Sequence, residues 1–394
     1  MSRDDLLIVG SGRWARVVAH AAMNGLAAIG RVVFLSPSNA AGLSQWASQA
    51  GLSPRVHAVT KWRDVDPGRI RFCVVANAAR EHAGTARSAL EAGIATLVEK
   101  PLVLSSADLV ELIALADRQQ LRLGASNVFL FARYLHRFAG ILANTRPIGA
   151  RLTWQDATGE IRYGERKAFD PTISVMTDVL PHALAILQVI LAEQQFAIGG
   201  LSLDRGGATV RISLAMGTGR GEIILSRNAS RRVRHIEVDD GASTLSLDFP
   251  EEPAKIKYDD GRVEEIPGSD GVSTPLVQML RSFESSLNGP LDDRLTPARM
   301  APAYRLIDEA RERYWSAQSD WLCHHLTGAT PEGDDDIRYF LRETAHLCGA
   351  TSQIDEAKIT IACRQLDREN HDVLIKRLRN DSRAALMHVV RDIR

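Results

Sequence analysis

The 394-residue chain contains few cysteines and no regular cysteine spacing. The four are Cys73, Cys323, Cys348 and Cys363, a pattern that argues against a disulfide framework. Cys73 lies in the apolar stretch RFCVVAN and is expected to be a buried free thiol. The triplet CHH at 323–325 fits no common zinc spacing, so we predict no metal site.

The chain also lacks net charge and long apolar runs. Its 48 Lys and Arg residues balance 48 Asp and Glu residues, so no global field indicates nucleic acid or an anionic membrane as a partner. No window reaches the roughly 18 to 20 apolar residues of a membrane helix. The start, MSRDDLLIVG, lacks the basic and apolar regions of a signal peptide. We therefore expect a soluble, cytoplasmic protein whose ligands are small molecules.

Short apolar runs alternate with helical patterns from residue 5 to about 126. Runs that are apolar on both faces and separated by helices predict a Rossmann-type, doubly wound parallel sheet. In such a sheet, ligands bind at the carboxyl ends of the strands. We assign residues 1–127 to this α/β domain.

The pattern changes after residue 128. Alternating segments between about 198 and 266 predict a mostly antiparallel sheet, and TDVLPHALAILQVILA predicts a helix. We assign 128–318 to an α+β substrate-binding and oligomerisation domain. Three amphipathic patterns in 319–394 predict a helical extension that packs on this domain or contributes to an oligomer.

The stretch IVGSGRWA fits a dinucleotide-binding turn. Gly10, Gly12 and Ala15 form a G-x-G-x-x-A pattern between a strand and a helix, with Arg13 and Trp14 inside it. Glycines permit a tight turn and close approach of a pyrophosphate, and a small third residue lets helix and strand pack. The alternative is a plain glycine-rich turn.

The end of the second predicted strand bears on the choice of cofactor. A carboxylate there would hydrogen-bond the ribose hydroxyls of NAD, but the sequence is FLSPSNA, with Ser36, Ser38 and Asn39. Without that charge a 2′-phosphate is not repelled, and Arg13 lies in the adjacent loop. We predict NADP as the preferred cofactor, with NAD as the alternative.

Lys100 and Pro101 follow directly on the apolar run GIATLVE. A lysine at the end of a buried strand either extends its amine to water while its aliphatic part stays buried, or keeps the amine in the protein for a catalytic or binding role. Partial burial would lower a lysine pKa towards the range useful for proton transfer. The residue before proline is held extended, which would direct the Lys100 side chain.

These features together resemble the Gfo/Idh/MocA oxidoreductase family, which includes glucose-fructose oxidoreductase and inositol dehydrogenase. The resemblance covers about 4–318 and rests on four motifs. They are GSGRWA, ANAAREH, EKP at 99–101 and DVLPH at 178–182. It implies that Lys100, beside Glu99 and a Pro101 whose preceding peptide bond is often cis, lines the cleft next to the nicotinamide.

The resemblance also implies roles for Asp178 and His182. Their four-residue spacing puts both on one helical face, with His182 as the proton donor or acceptor and Asp178 as a substrate-orienting group. The alternatives are that Asp178 caps the helix, with Pro181 in its first turn, and that His182 is a core histidine. Many family members carry another Asp where this chain has Ala185.

Further contacts follow from the same resemblance. Asn77 and His82 would lie near the cofactor riboses, and Asn127 would face the nicotinamide, while His82 is alternatively a solvated residue near a helix start. Tyr163 and Arg166, in the basic loop GEIRYGERKAFDP, would contact a substrate carrying carboxylate or phosphate if this loop lines the cleft. Otherwise it is a charged surface loop. A second basic stretch, NASRRVRH, is expected to be a hairpin.

We therefore predict an NAD(P)-dependent oxidoreductase that moves hydride between the nicotinamide and a carbinol or ketone carbon of a sugar-like or cyclitol-like molecule. Lys100 and His182 would handle the proton of the substrate oxygen. The family also includes imine reductases, NAD-dependent glycosidases and dinucleotide-gated regulatory modules, which stay as alternatives. We expect a homo-oligomer formed through the C-terminal sheet.

Overall fold

The computed structural model describes residues 3–162, 164–167, 170, 173–191, 194–217, 219–268 and 274–327, apart from the side chains of 166, 315 and 318–327. Two units can be distinguished by their internal contacts. Unit 1 contains Met1–Gly140 and Pro267–Arg305, and unit 2 contains Ile141–Ile266 and the described residues from Leu306 onward. Within the described residues, no helix has the length and apolar character needed to cross a membrane.

Unit 1 is built on a parallel sheet of six strands in the order β3-β2-β1-β4-β5-β6. The strands are β1 (Asp5–Val9), β2 (Arg31–Leu35), β3 (Val56–Val59), β4 (Ile70–Val75), β5 (Thr96–Val98) and β6 (Leu123–Ala125). Every residue of β1 and β5 is buried, as expected for strands covered on both faces. The doubly wound parallel sheet is confirmed.

Most helices of unit 1 lie between its strands in the sequence. One further helix of this unit comes from much later in the chain, after the strands of unit 2. The helices are α1 (Arg13–Gly25), α2 (Ala40–Gln49), α3 (His82–Glu91), α4 (Ser106–Gln119), the start of α5 (Arg133–Leu142), and α7 (Pro275–Ser286). The hydroxyl of Thr274 accepts from Val277 N and caps α7, and proline occupies its first position. Phe283 of α7 packs edge-on against Phe72 of β4, 5.4 Å between ring centroids.

Unit 2 is built on a mixed sheet of eight strands in the order β10-β11-β12-β7-β13-β14-β15-β16, with a separate two-stranded ribbon β8-β9. The strands are β7 (Gly149–Ala157), β8 (Ile161–Arg162), β9 (Glu165–Arg166), β10 (Phe196–Asp204), β11 (Thr209–Met216), β12 (Gly219–Ala229), β13 (Val233–Asp239), β14 (Thr244–Asp248), β15 (Ala254–Tyr258) and β16 (Val263–Ile266). Among the described strands of this sheet, only the β7 and β12 pair is parallel. Buried and exposed positions alternate along β11, so one face of the sheet is covered.

Helix α6 (Val175–Ile190) covers that face in unit 2. Thirteen of its sixteen residues are buried, in keeping with its mostly apolar sequence. A further helix, α8 (Ala301–Thr327), contains the last described residues. The predicted extension 319–394, including Cys348 and Cys363, lies outside the described residues beyond position 327.

The prediction of a hairpin for NASRRVRH is wrong. Strands β12 and β13 flank this stretch, but each pairs with β7 rather than with the other. The inserted strand comes from 149–157, far back in the sequence, and local turn signals carry no information about it. Arginines of β12 and β13 therefore lie on either side of β7.

Cys73 is a buried free thiol, as predicted, and burial raises its pKa. Its location in the centre of β4 removes the thiol from solvent. The side chains of the triplet at 323–325 lie outside the described residues. Among the described residues, no group of three or more histidine, cysteine or carboxylate side chains could hold a metal ion.

Candidate active site

The glycine loop of unit 1 has the backbone geometry that the sequence predicts. Gly10 adopts φ +127, and a Cβ there would lie 2.5 Å from the Ala76 carbonyl oxygen, so only glycine lets the ends of β1 and β4 approach so closely. A Cβ on Gly12 would meet nothing within 4 Å. Ala15 is fully buried where α1 packs on the sheet. The loop leaves open space next to a tight turn.

The start of α1 is suited to an anionic group. Gly12 occupies the N-cap without a side-chain hydrogen bond, and the first turn has no acidic residue. The first backbone N–H groups of a helix lack intrahelical partners and carry a partial positive charge, which a phosphate can satisfy. Together with the space over Gly12, this arrangement fits the pyrophosphate of a dinucleotide.

Asn77, at the end of β4, provides a second sign of a ligand. Its amide nitrogen donates to Glu81 Oε2 and to Thr85 Oγ1, each at 2.9 Å. Its Oδ1 is buried and accepts no hydrogen bond. A buried polar atom without a partner is unfavourable, so this oxygen fits a donor such as a ribose hydroxyl.

The end of β2 contains no carboxylate. Ser36 is buried and its hydroxyl accepts from Asn39 N at 3.2 Å, while Ser38 and Asn39 are exposed. Arg13 lies in the first turn of α1 and is half-buried. These three residues therefore offer hydroxyl and amide groups at this strand end.

Glu99 and Trp14 form a buried polar contact beneath this loop. Glu99 Oε1 accepts from Ser126 Oγ at 2.5 Å, and Oε2 accepts from Lys100 N at 3.3 Å. Burial raises the pKa of Glu99, against smaller opposing effects from Ser126, Trp14 and Lys100. The buried Trp14 Nε1 is close enough to affect this pKa but lacks a well-aligned acceptor. Glu99 therefore supports the turn from beneath.

The turn at Lys100 and Pro101 is joined to the Asn77 loop by His82. The Lys100–Pro101 peptide bond is cis, and Lys100 is half-buried directly after β5. The His82 ring is buried, with Nδ1 2.7 Å from the Pro101 carbonyl oxygen and Nε2 3.2 Å from the Asn77 carbonyl oxygen. The interpretation of His82 as a solvated residue is wrong, because the side chain is enclosed between two strand ends.

Asn127, after β6, completes this edge of unit 1. It is buried and its amide donates to the Met300 sulfur at 3.5 Å. Gly10, Asn77, Lys100 and Asn127 follow four strands of one parallel sheet at their carboxyl ends. That edge is where doubly wound sheets bind ligands.

In unit 2, Asp178 and His182 lie one turn apart on α6. The helix starts earlier than expected, since the Ser174 hydroxyl accepts from Thr177 N at 3.1 Å and caps it. The alternative interpretation of Asp178 as the N-cap is therefore wrong, and Pro181 lies inside the helix rather than in its first turn. Ala185 is buried on the same helix.

Asp178 is bound to a buried arginine that the sequence did not single out. Arg227 Nη2 donates to Asp178 Oδ2 at 3.2 Å and to the Ser174 carbonyl oxygen at 3.2 Å. Arg227 Nη1 donates to the Ile173 carbonyl oxygen at 3.1 Å. The guanidinium therefore fixes the first turn of α6 and holds a positive charge next to Asp178.

His182 packs against an aromatic side chain of β7. Its ring stacks on the Trp154 indole, with 5.4 Å between centroids and 20° between planes. The Arg234 guanidinium lies 3.8 Å from the Trp154 ring centroid. These contacts restrict the orientation of the His182 imidazole, because its ring lies nearly parallel to the Trp154 indole.

Asp156 forms ion pairs with two cations of this region, Arg234 and Lys167. It is buried and bonds Arg234 Nη2 at 2.5 Å and Lys167 Nζ at 2.6 Å. Burial acts to raise the pKa of Asp156, but the charges of Arg234 and Lys167 outweigh it, and the pKa is lowered. Burial lowers the pKa of Lys167, against the opposing charges of Asp156 and Asp178.

Sequence reasoning missed Trp154, Asp156, Arg227 and Arg234. Arg234 alternates with the half-buried Val233 and His235 along β13 and occupies a buried position. When buried and exposed positions alternate along a strand, a charged residue at a buried position indicates that an opposite charge lies next to it in the core. Tyr163 and the Arg166 side chain, predicted to bind substrate, lie outside the described residues.

Residues 5–126 match the family model described as the Gfo/Idh/MocA oxidoreductase family with an NAD-binding Rossmann fold. The matched region contains the glycine loop, the Asn77 loop and the Lys100 turn. The likeness to this family is therefore found in the part of the chain where the sequence predicts a dinucleotide-binding domain. No curated protein sequence matches the chain significantly.

Solved structures show the same fold over most of the chain. UDP-N-acetylglucosamine 3-dehydrogenase GnnA from Acidithiobacillus ferrooxidans is 14% identical, with 81% of this chain and 99% of that chain covered and a TM-score of 0.62. KijD10, a 3-ketoreductase from Actinomadura kijaniata in complex with NADP and TDP-benzene, is 15% identical over 78% and 97%, with a TM-score of 0.66. GenD2 from gentamicin A biosynthesis, in complex with NAD, is 18% identical over 82% and 95%, with a TM-score of 0.64. At these identities the likeness concerns the fold.

Proposed function

We propose that this protein is an oxidoreductase of that family and transfers hydride between a nicotinamide and a carbinol or ketone carbon of a sugar-like or cyclitol-like substrate. The observation that carries the proposal is that half-buried Lys100 follows β5 at the same sheet edge as the glycine loop. When bound, the cofactor supplies hydride chemistry. The residues at this edge provide the phosphate site, the ribose contacts and an amine.

Lys100 and His182 are proposed to handle the proton of the substrate oxygen. As hydride leaves the carbinol carbon, the oxygen proton passes to one of these two groups, and in reduction it returns. Asp178 would orient a neighbouring hydroxyl, with its carboxylate held by Arg227. Each unit by itself supplies support: in unit 2 the His182 ring stacks on Trp154, and in unit 1 the half-buried Lys100 lies at the strand-end edge of the sheet.

We propose NADP as the preferred cofactor. Ser36, Ser38 and Asn39 leave the end of β2 free of negative charge, and Arg13 lies in the adjacent glycine loop. A 2′-phosphate would meet no carboxylate from these residues, in contrast with the usual NAD site. Among the structural neighbours, KijD10 binds NADP and GenD2 binds NAD, so this choice depends on the residues of this chain.

The proposed substrate carries a carboxylate or phosphate. Several basic side chains of unit 2 lie close together around the carboxylates of Asp156 and Glu160. They are Arg162, Lys167, Arg232 and Arg234. Clustered guanidinium and ammonium groups are suited to binding carboxylate or phosphate. A cytoplasmic location and a homo-oligomer formed through the unit 2 sheet are further proposals.

The test follows nicotinamide absorbance with NADP and NAD in parallel, over a panel of neutral and acidic sugars and cyclitols. We expect turnover with NADP at lower cofactor concentration. Lys100→Met and His182→Ala should each lower kcat by about 10²- to 10⁴-fold, the usual contribution of a positioned acid or base. Arg151→Met, which removes an exposed ion pair with Glu222, is the control and should retain activity.

Two results would contradict the proposal. Full activity of both Lys100→Met and His182→Ala would remove the assigned proton chemistry. Release of a free sugar without net change in nicotinamide absorbance would indicate glycoside cleavage through transient oxidation instead. Tighter binding of NAD than of NADP would overturn only the proposed cofactor preference.

A further inference from the structure

Trp154 and Arg234 are deeply buried beside His182 in unit 2. The exposed fractions are 5% for Trp154, 2% for Arg234 and 6% for His182. The three residues come from β7, β13 and α6, so the cluster joins two neighbouring strands of the sheet to the helix that covers them. In each case a planar side-chain group faces the next one.

The Arg234 guanidinium is fixed in position by three oxygen acceptors. Its Nη1 donates to the carbonyl oxygens of Gln155 at 2.6 Å and Val233 at 2.7 Å, and its Nη2 donates to Asp156 at 2.5 Å. Burial lowers its pKa to about 10, which leaves the group charged at neutral pH. A planar cation anchored in this way provides a rigid surface for an aromatic ring.

Trp154 links this anchored cation to the imidazole. Arg234 lies 3.8 Å from the indole centroid, and the indole stacks on His182 at 5.4 Å with only 20° between planes. Stacking restricts rotation of an imidazole about its last side-chain torsion, which is broad in histidine when nothing opposes it. A proton-transfer group gains from such restriction because its nitrogen must meet the substrate oxygen at hydrogen-bond distance.

We propose that Trp154 and Arg234 are positioning residues that hold the His182 imidazole in the orientation needed for proton transfer. This inference rests on the proposed function, in which His182 exchanges a proton with substrate. Trp154 acts by direct stacking, and Arg234 acts through Trp154. Asp156 completes the arrangement by fixing the Arg234 guanidinium. Asp156 lies in β7, two residues after Trp154, so this strand provides both the indole and the carboxylate that anchors the cation packed on it.

The test compares Trp154→Leu, which removes the ring plane, with Trp154→Phe, which keeps one. We expect Trp154→Leu to lower kcat by at least tenfold with KM for substrate and Kd for the dinucleotide changed less than about threefold. Trp154→Phe should restore most of kcat. Arg234→Lys, which keeps a charge but loses the planar fork, should show an intermediate loss of kcat.

Phe249→Leu is the matched control. Phe249 also packs on Trp154, edge-on at 6.4 Å, but its contact with Trp154 is not a stack. Truncation there opens a cavity beside the indole and should lower the unfolding temperature while changing kcat less than twofold. Thermal unfolding of every variant identifies those that fail to fold, and Trp154→Phe keeps the test available if Trp154→Leu does not fold.

A double variant distinguishes this inference from the proposed function. If the stack acts through His182, adding Trp154→Leu to His182→Ala should lower kcat no further. Additive losses would overturn the positioning role while leaving His182 as a proton-transfer group. Full activity of His182→Ala would instead overturn the proposed function. In histidine-labelled protein, the His182 ring proton resonance should lose its ring-current shift in Trp154→Leu; an unchanged resonance contradicts the stack.

Discussion

Glu99 in unit 1 and Asp156 in unit 2 are both buried carboxyl groups, and their pKa values move in opposite directions. Burial is the largest influence on each and favours the neutral acid. Around Glu99 the hydrogen-bonding partners are a hydroxyl and a backbone N–H, and its pKa is raised. Around Asp156, Arg234 and Lys167 bring two positive charges, and its pKa is lowered.

This difference follows from the partners of the two carboxyl groups. Glu99 of unit 1 accepts hydrogen bonds from a hydroxyl and a backbone N–H, whereas Asp156 of unit 2 pairs with two cations. We expect loss of the carboxylate to be costly at Asp156 and mild at Glu99, because an unpaired buried charge is far less favourable than a lost neutral hydrogen bond.

The largest expected effect follows from Asp156→Asn. This change leaves Arg234 and Lys167 without their shared carboxylate, and removing one partner of a buried pair costs about 3–5 kcal/mol. The measurement is the free energy of unfolding in denaturant. Asp248→Asn is the control, since its pairs with His235 and Lys257 are more exposed and are worth about 1 kcal/mol or less. Equal losses from the two variants would remove the distinction between core and surface pairs.

A smaller effect is expected for Gly10→Ala in unit 1. The new Cβ would lie 2.5 Å from the Ala76 carbonyl oxygen at a φ of +127, and such strain costs about 1–3 kcal/mol. Gly12→Ala is the matched control, since its Cβ meets no atom within 4 Å and its φ is −67. Thermal unfolding should separate the two variants.

Dinucleotide titration of Gly12→Ala sharpens the same comparison. The folded protein should bind the cofactor at least about tenfold more weakly, since the added methyl group occupies the space over the loop that fits a pyrophosphate. Wild-type affinity in this variant would mean that the cofactor does not approach Gly12. A destabilised Gly12→Ala would mean instead that the loop has a structural role alone.

The smallest effect is expected for Glu99→Gln, which preserves the acceptor for Ser126. Because the folded-state pKa of Glu99 is raised, its protonated form favours the folded state, and stability falls as pH rises from about 4.5 towards that raised pKa. Glu99→Gln should remove this loss, so within that window the stability of the variant relative to wild type rises by up to about 1.4 kcal/mol per pH unit. Unfolding measured across the pH range tests it.

Asp156 should show the opposite dependence. Its folded-state pKa is lowered, so its stabilising contribution is complete above the ordinary value of 3.8 and is lost as pH falls through the lowered pKa. Asp156→Asn should therefore lack this loss of stability at acidic pH, while keeping the pH dependence that arises from Glu99. If stability depends on pH in the same way in wild type and both variants, other carboxyl groups dominate the pH dependence.

Much of unit 1 is predictable from its sequence because its informative residues are close in the chain. The G-x-G-x-x-A spacing, the apolar strands and Lys100 before proline each depend on backbone geometry over a few residues. Asp178 and His182 were singled out by the resemblance of DVLPH to a family motif, and their four-residue spacing predicted that both lie on one helical face. The helix start was misjudged because Ser174 and Asp178 are both good caps, and only the hydrogen bond to Thr177 distinguishes them.

Unit 2 was less predictable because its important pairs are distant in sequence. Arg234 and Asp156 are 78 residues apart, and Arg227 and Asp178 are 49 apart. These contacts depend on β7 lying between β12 and β13, a register that no local pattern specifies. Alternation along β13 indicates that Arg234 is buried, but not which carboxylate neutralises it.

The sequence by itself determined the parallel sheet, the dinucleotide turn and the lysine at a strand end, since local periodicity and the steric demands of glycine and proline specify them. Only the tertiary structure decided that Trp154 stacks on His182 and that Asp156 holds Arg234 and Lys167. The physical reason is that burying a charge or orienting a ring requires partners, and sheet pairing brings those partners together from distant segments.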